Sequence, residues 1–170
     1  QAEHDSLTGV FRYRAFLTLL GKAMSVEARV DRGLPVLLVD LDHFKRVNDT
    51  WGHQIGDEVL RHFVKMTQTC LRQGDVLGRL GGEEFAIFLP QASEGEASQV
   101  AERLRAQVAA QPCQTARGPV ALSVSIGVAL CEPGERPEAA LGRADRAMYQ
   151  AKGEGRNRVQ IWGAVTSASV

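Results

Sequence analysis

Hydrophobic positions change their period several times along this chain, and each change marks an element. From Tyr13 to about Arg29, Phe16, Leu17, Leu19, Leu20 and Met24 recur at helical spacing. Gly33 and Pro35 break that pattern. Val36 to Leu41 is then a continuous apolar run interrupted only by Asp40, as in a central strand buried on both faces. Asp42 stands where it could cap a short helix through Asn48. A longer helix is predicted from about Ile55 to Arg72, with Val59, Leu60, Phe63, Val64 and Met66 as its inner stripe. Alternation takes over in a hairpin made of Val76 to Leu80, a turn at Gly81-Gly82, and Glu84 to Leu89. Ser93 opens another helix to Gln111, and Glu96 stands at the capping-box position three residues on. "VALSVSIGVAL" is a further strand, Pro137 starts a helix to about Lys152, and "RVQIW" is the last strand. The order α-β-α-β-β-α-β-α-β predicts an α/β (α+β) sandwich of ferredoxin-like type, with helices on a mostly antiparallel sheet.

Composition narrows the function classes. The 170 residues suit one domain with a sizeable core, and 44% of them are hydrophobic. Twenty basic residues balance twenty acidic ones, which argues against nonspecific nucleic-acid or membrane-surface binding and leaves room for a local phosphate site. Cys70, Cys113 and Cys131 form no CxxC or Cys/His cluster, so reduced thiols in the cytoplasm are expected rather than zinc or disulfides. No apolar run is long enough to span a bilayer. The chain opens on "QAEHDSLTGV" without an initiator Met, as an excised domain would.

Carboxylates concentrate at predicted strand ends. Asp40 ends the buried run, and Asp42 should point to the same side. The hairpin turn brings Glu83 and Glu84 to a neighbouring strand end, with Glu83 expected to face Asp40 and Glu84 to support the turn. Three or four carboxylates so placed repel each other unless cations neutralise them. Oxygen ligands without nearby His or Cys suit Mg²⁺ or Mn²⁺. Each carboxylate alone has a plainer role, Asp42 as a cap and Glu84 paired with a surface lysine; the set favours the metal. Between these strands "FKRVNDTWGHQIGDEVL" supplies Lys45, Asn48, Asp49, His53 and Asp57. An Asn and an Asp in one pocket can read a guanine edge, and Lys45 can meet phosphate as a point charge. His53 alone reads as a loop histidine with one hydrogen bond. "AKGEGRNR" adds Lys152, Arg156 and Arg158 near a helix end, suited either to a triphosphate or to the helix dipole.

The motifs "DSLTGVFRYRAF", "DLDHFKRVNDTWGHQIGD", "RLGGEEF", "SVSIGVA" and "ADRAMYQAKGEGRN" stand in the order and spacing of the GGDEF family of diguanylate cyclases, which the chain resembles from about Asp5 to Asn157. The resemblance implies a palm-like domain related to adenylyl cyclases that converts two GTP into cyclic di-GMP and two pyrophosphates. Asp40, the Leu41 carbonyl and Glu83 would hold two Mg²⁺ or Mn²⁺ ions per site, and Glu83 would also be the base. Asn48 and Asp57 would bind guanine with His53 at the same site, while Lys45, Lys152 and Arg156 would contact phosphates. "RQGD" matches the family's RxxD inhibitory motif, so Arg72 and Asp75 would bind the product. One set of motifs per chain and two bonds per product imply a two-fold homodimer. On this reading residues 1–162 form the catalytic domain. Its first four residues would end a linker from an upstream sensor or dimerising module, and residues 163–170 would be a loose tail. The family's usual LTGLxNR departs here to Arg12 and Tyr13, at the domain entrance. A non-catalytic cyclic di-GMP receptor using the RxxD site is the alternative, although such receptors typically lose the glycines or acidic pair kept here.

Overall fold

The computed structural model describes residues 2–164 as a six-stranded sheet covered by helices, plus a two-stranded ribbon. In chain order the elements are β1 (Phe11–Arg12), α1 (Tyr13–Ala28), β2 (Leu34–Leu41), α2 (Phe44–Trp51), α3 (His53–Cys70), β3 (Val76–Gly81) and β4 (Glu84–Phe88). There follow α4 (Glu94–Ala110), β5 (Cys113–Thr115), β6 (Gly118–Val120), β7 (Val124–Cys131), α5 (Pro137–Gly153) and β8 (Arg158–Ile161). The unit β2-α3-β3-β4-α4-β7 is βαββαβ, with strands in spatial order β3-β4-β2-β7 and every neighbouring pair antiparallel. This is the ferredoxin-like arrangement expected from the pattern. At the edges β1 joins β3 and β8 joins β7, both parallel.

Strand residues alternate between two cores, because successive side chains leave opposite faces. Leu37, Val39 and Leu41 of β2 pack with Phe63, Phe85, Ile87 and Leu104 on the α3/α4 side. Leu34, Val36 and Leu38 face Phe16, Leu20, Phe88 and Met148 on the α1/α5 side. Fully burying each of Phe16, Phe63 and Phe85 contributes about 1.5–3 kcal/mol. Asp40 continues the second series of β2 and therefore points toward α5. β4 pairs Glu84 directly with Asp40, in series with Ala86 and Phe88 of that same face.

Helix α5 lies very close to the sheet. A Cβ on Gly127 of β7 would overlap the α5 backbone at Ala144 and Met148, so glycine alone permits this spacing. Helix α4 opens with the expected capping box, as Glu96 N–H donates to Ser93 Oγ at 3.1 Å and Ser93 N–H to Glu96 Oε1 at 3.0 Å.

Some local expectations differ from what is observed. Asp42 does not cap α2: His43 occupies that position with a left-handed φ of 57° and no side-chain cap. The Asp42 carboxylate is taken by donors from Ser123, Ser125 and Asn157, which a cap would have to forgo. The apolar run starting at Val120 is split, since Val120 closes the β5–β6 ribbon and β7 begins only at Val124. The cysteines are free and buried, and burial pushes the Cys131 thiol up to about 12. Among the described residues no helix is long and apolar enough to cross a membrane. Of the loose tail predicted at 163–170, only residues 163 and 164 fall within the described residues.

Candidate active site

The end of β2 gathers charge around a buried carboxylate. The Asp40 side chain is only 5% exposed, and its Oδ2 accepts from Lys152 Nζ at 2.7 Å. Burial raises its pKa; the Lys152 bond opposes this, and the charges of Glu83 and Asp42 add to the rise. Glu84 is also pushed up, by burial first and then by repulsion from Asp40 and Asp145, against Lys152. The expectation that Glu83 faces Asp40 while Glu84 only supports the turn is corrected here. Strand β4 begins at Glu84, which sits directly across from Asp40, whereas Glu83 belongs to the turn. Strand alternation therefore does not govern Glu83. The uninterrupted β2–β4 register, which runs from Val36 opposite Phe88 to Asp40 opposite Glu84, sets this offset. Glu83 still meets the cluster, since its carbonyl accepts from Leu41 N–H at 3.3 Å and its charge acts on Asp40.

Sequence reasoning missed what holds the turn. Arg79 donates to the Gly82 carbonyl through Nε at 2.9 Å and Nη2 at 2.7 Å. Its Nη1 grips Asp5 at 3.1 Å, and Asp5 is fixed by Thr8 N–H at 2.9 Å and Thr8 Oγ1 at 2.6 Å. Gly82 turns there with φ 51°. The signals were an arginine shortly before paired glycines and an Asp-x-x-Thr spacing of capping type.

Asp42 is a buried anchor. It accepts from Ser123 Oγ and Ser125 Oγ, each at 2.7 Å, and from Asn157 N–H at 3.0 Å. These bonds hold the loop after α5, where Arg156 and Asn157 both adopt positive φ, 64° and 49°. Arg105 of α4 braces the same loop through Asn157 Oδ1 at 3.0 Å. Arg156 itself is exposed.

Among the described residues no three His, Cys, Asp or Glu side chains converge as a ready metal cage. The donors at the strand end are all oxygens, and their carboxylates repel one another with Lys152 as their counter-charge. That set fits Mg²⁺ or Mn²⁺, which take further ligands from water and phosphate rather than a full protein cage.

The candidate base pocket lies between α2 and α3. Asn48 Oδ1 is buried and has no hydrogen-bond partner, a costly state for an amide oxygen unless a ligand donor meets it. A Cβ on Gly56 would overlap that oxygen and stand 3.3 Å from Phe44 Cζ, so glycine leaves Asn48 its place. Asp57 is the next residue of α3 and is half-buried; His53 is exposed at the start of that helix. Lys45 is not brought to the Asp40 cluster; it is exposed and donates to Asp49 at 2.9 Å, one helical turn on.

Arg72 and Asp75 form a separate feature before β3. The Asp75 side chain is 4% exposed, and burial raises its pKa. It accepts from Arg72 N–H at 2.8 Å, while the exposed Arg72 guanidinium stands off at 4.0 Å. A cleft beside them is lined by His4, Gln68, Gln73 and Leu77.

A ferredoxin-like sheet with an acidic glycine-turn hairpin against the end of its central strand defines a palm-type domain. Residues 2–158 match the family described as "Diguanylate cyclase, GGDEF domain", and the chain belongs to that family. It is 40% identical over 161 residues to diguanylate cyclase DosC of Escherichia coli, covering 94% of this chain and 35% of that protein. It is 42% identical over 161 residues to the response regulator PleD of Caulobacter vibrioides, covering 91% and 35% respectively. The chain thus spans about a third of the length of these relatives. The GGDEF domain of DgcB from Caulobacter crescentus, crystallised with c-di-GMP, superimposes with a TM-score of 0.91 at 32% identity, over 96% of this chain and 95% of that one.

Proposed function

We propose that this domain is the catalytic unit of a diguanylate cyclase, joining two GTP into cyclic di-GMP and releasing two pyrophosphates. The observation that carries the reading is the carboxylate excess at the end of β2, where Asp40, Glu83 and Glu84 repel one another against Lys152. Asp40, the Leu41 carbonyl and Glu83 would hold two Mg²⁺ or Mn²⁺ ions. When bound, such ions acidify a ribose hydroxyl and neutralise charge building on the phosphates. Asn48 Oδ1 accepts from a guanine N–H and Asp57 from another, with His53 at the pocket rim. Lys152 and Arg156 hold the phosphates, joined by Lys45 once it leaves Asp49. Glu83 takes the proton of the attacking 3′-hydroxyl. The 3′-oxygen bonds to the α-phosphorus of the second nucleotide as the bond to the pyrophosphate oxygen breaks. Each nucleotide is attacker once and target once, so two domains meet as a two-fold homodimer, brought together by a sensory or dimerising module elsewhere in a longer protein. Arg72 and Asp75 bind cyclic di-GMP and provide feedback inhibition; the buried Asp75 carboxylate would accept from guanine.

The test is incubation with GTP and Mg²⁺, with cyclic di-GMP and pyrophosphate as the readout. Glu83→Ala should lose turnover yet keep cyclic di-GMP binding at Arg72 and Asp75. Absence of product from the unmodified domain at high protein concentration, despite tight cyclic di-GMP binding, would refute the enzyme reading.

A further inference from the structure

We propose that Lys152 is the resident counter-cation of the metal site, so that a divalent ion gains full access to Asp40 only when a triphosphate draws Lys152 away. The proposal rests on the roles given above to Asp40 and Lys152, and adds an order of loading to them. Lys152 Nζ lies 2.7 Å from Asp40 Oδ2, and the carboxylate beneath it is almost sealed from solvent. The other groups acting on Asp40 are anionic. Glu83 and Asp42 both repel it, and Glu84 faces it across the strands. Asp42 cannot turn to share the lysine, because Ser123, Ser125 and Asn157 occupy its oxygens.

A divalent ion on Asp40 would therefore share one carboxylate with an ammonium. In a poorly hydrated pocket two cations that close repel strongly. The lysine is suited to leave. Its four-carbon stem is flexible and its ammonium makes no fixed fork, and the side chain is 26% exposed, at the mouth of the site. Arg156 lies beyond the end of α5, next to Asn157 on the loop held by Asp42. A triphosphate arriving there offers Lys152 a replacement anion, and Asp40 is released to the ion that the nucleotide brings. Nucleotide and metal binding are then positively coupled, each strengthening the other by the same factor.

The experiment is a nucleotide-free Mn²⁺ titration followed by electron paramagnetic resonance at about pH 8. Lys152→Met and Lys152→Gln should each bind Mn²⁺ roughly tenfold or more tightly than the unmodified domain, within the usual range of site-to-site coupling. Lys152→Arg, which keeps the charge, should bind no more tightly. Adding Asp40→Asn to Lys152→Met should remove the gain. Equal Mn²⁺ affinity in the unmodified, Met and Gln proteins would overturn the proposal. Turnover of the unmodified protein is read separately, so failure of the cyclase reading and failure of this one are distinguishable.

Discussion

Gly56→Ala separates the base pocket from the fold that carries it. The new methyl would overlap Asn48 Oδ1, lie 3.1 Å from Asn48 Cγ and lie 3.3 Å from Phe44 Cζ. Of these, the Asn48 amide is the part free to move, because its oxygen has no partner to lose. Turning it off its rotamer costs about 0.5–1.5 kcal/mol, and alanine returns up to about 1 kcal/mol of helix propensity within α3. Stability should therefore stay within about 1 kcal/mol of the parent. Guanine, however, loses an acceptor in a buried place, at about 1–3 kcal/mol, a roughly 5- to 150-fold rise in KM for GTP. Thermal unfolding and steady-state kinetics on one preparation measure both effects. A large fall in Tm with unchanged KM would refute the reasoning, since Gly56 would then serve packing alone.

Two further substitutions probe charge. Glu84→Gln removes a like charge directly opposite Asp40, a cross-strand repulsion of about 0.2–1 kcal/mol that solvent partly screens. Because Glu84 has a raised pKa in the folded state, its ionisation penalises folding above that pKa. The gain in Tm from Gln should appear at neutral pH and fade as pH falls through that pKa. Arg72→Ala should raise the cyclic di-GMP concentration needed for half-inhibition of GTP turnover, measured by adding product; unchanged inhibition would place the regulatory site elsewhere.

What the sequence shows most plainly is whatever depends on neighbours in the chain. The apolar run around Asp40 marks a buried strand, Ser93 with Glu96 marks a helix start, and Gly81-Gly82 marks the hairpin. The roles that escape notice depend on distant partners. Asp42 looks like a cap because its actual donors, Ser123 and Ser125, lie 81 and 83 residues on. The Lys152–Asp40 pair spans 112 residues, so each residue suggests a different ligand when read locally. Which of Glu83 and Glu84 stands opposite Asp40 turns on the register between β2 and β4, which alternation within one strand does not fix. The β5–β6 ribbon escaped because its strands are three residues each and one contains Pro119.

Gly127 acquires a further meaning in this light. Where a side chain separates helix from sheet, rotamers can absorb small errors of spacing, as a gasket does. At Gly127 the two backbones rest on each other without one, at Ala144 and Met148, and Lys152 stands a single turn beyond. The contact acts as a mechanical stop. It gauges how far the ammonium reaches over Asp40, and so sets the calibration of the charged site from inside the hydrophobic layer.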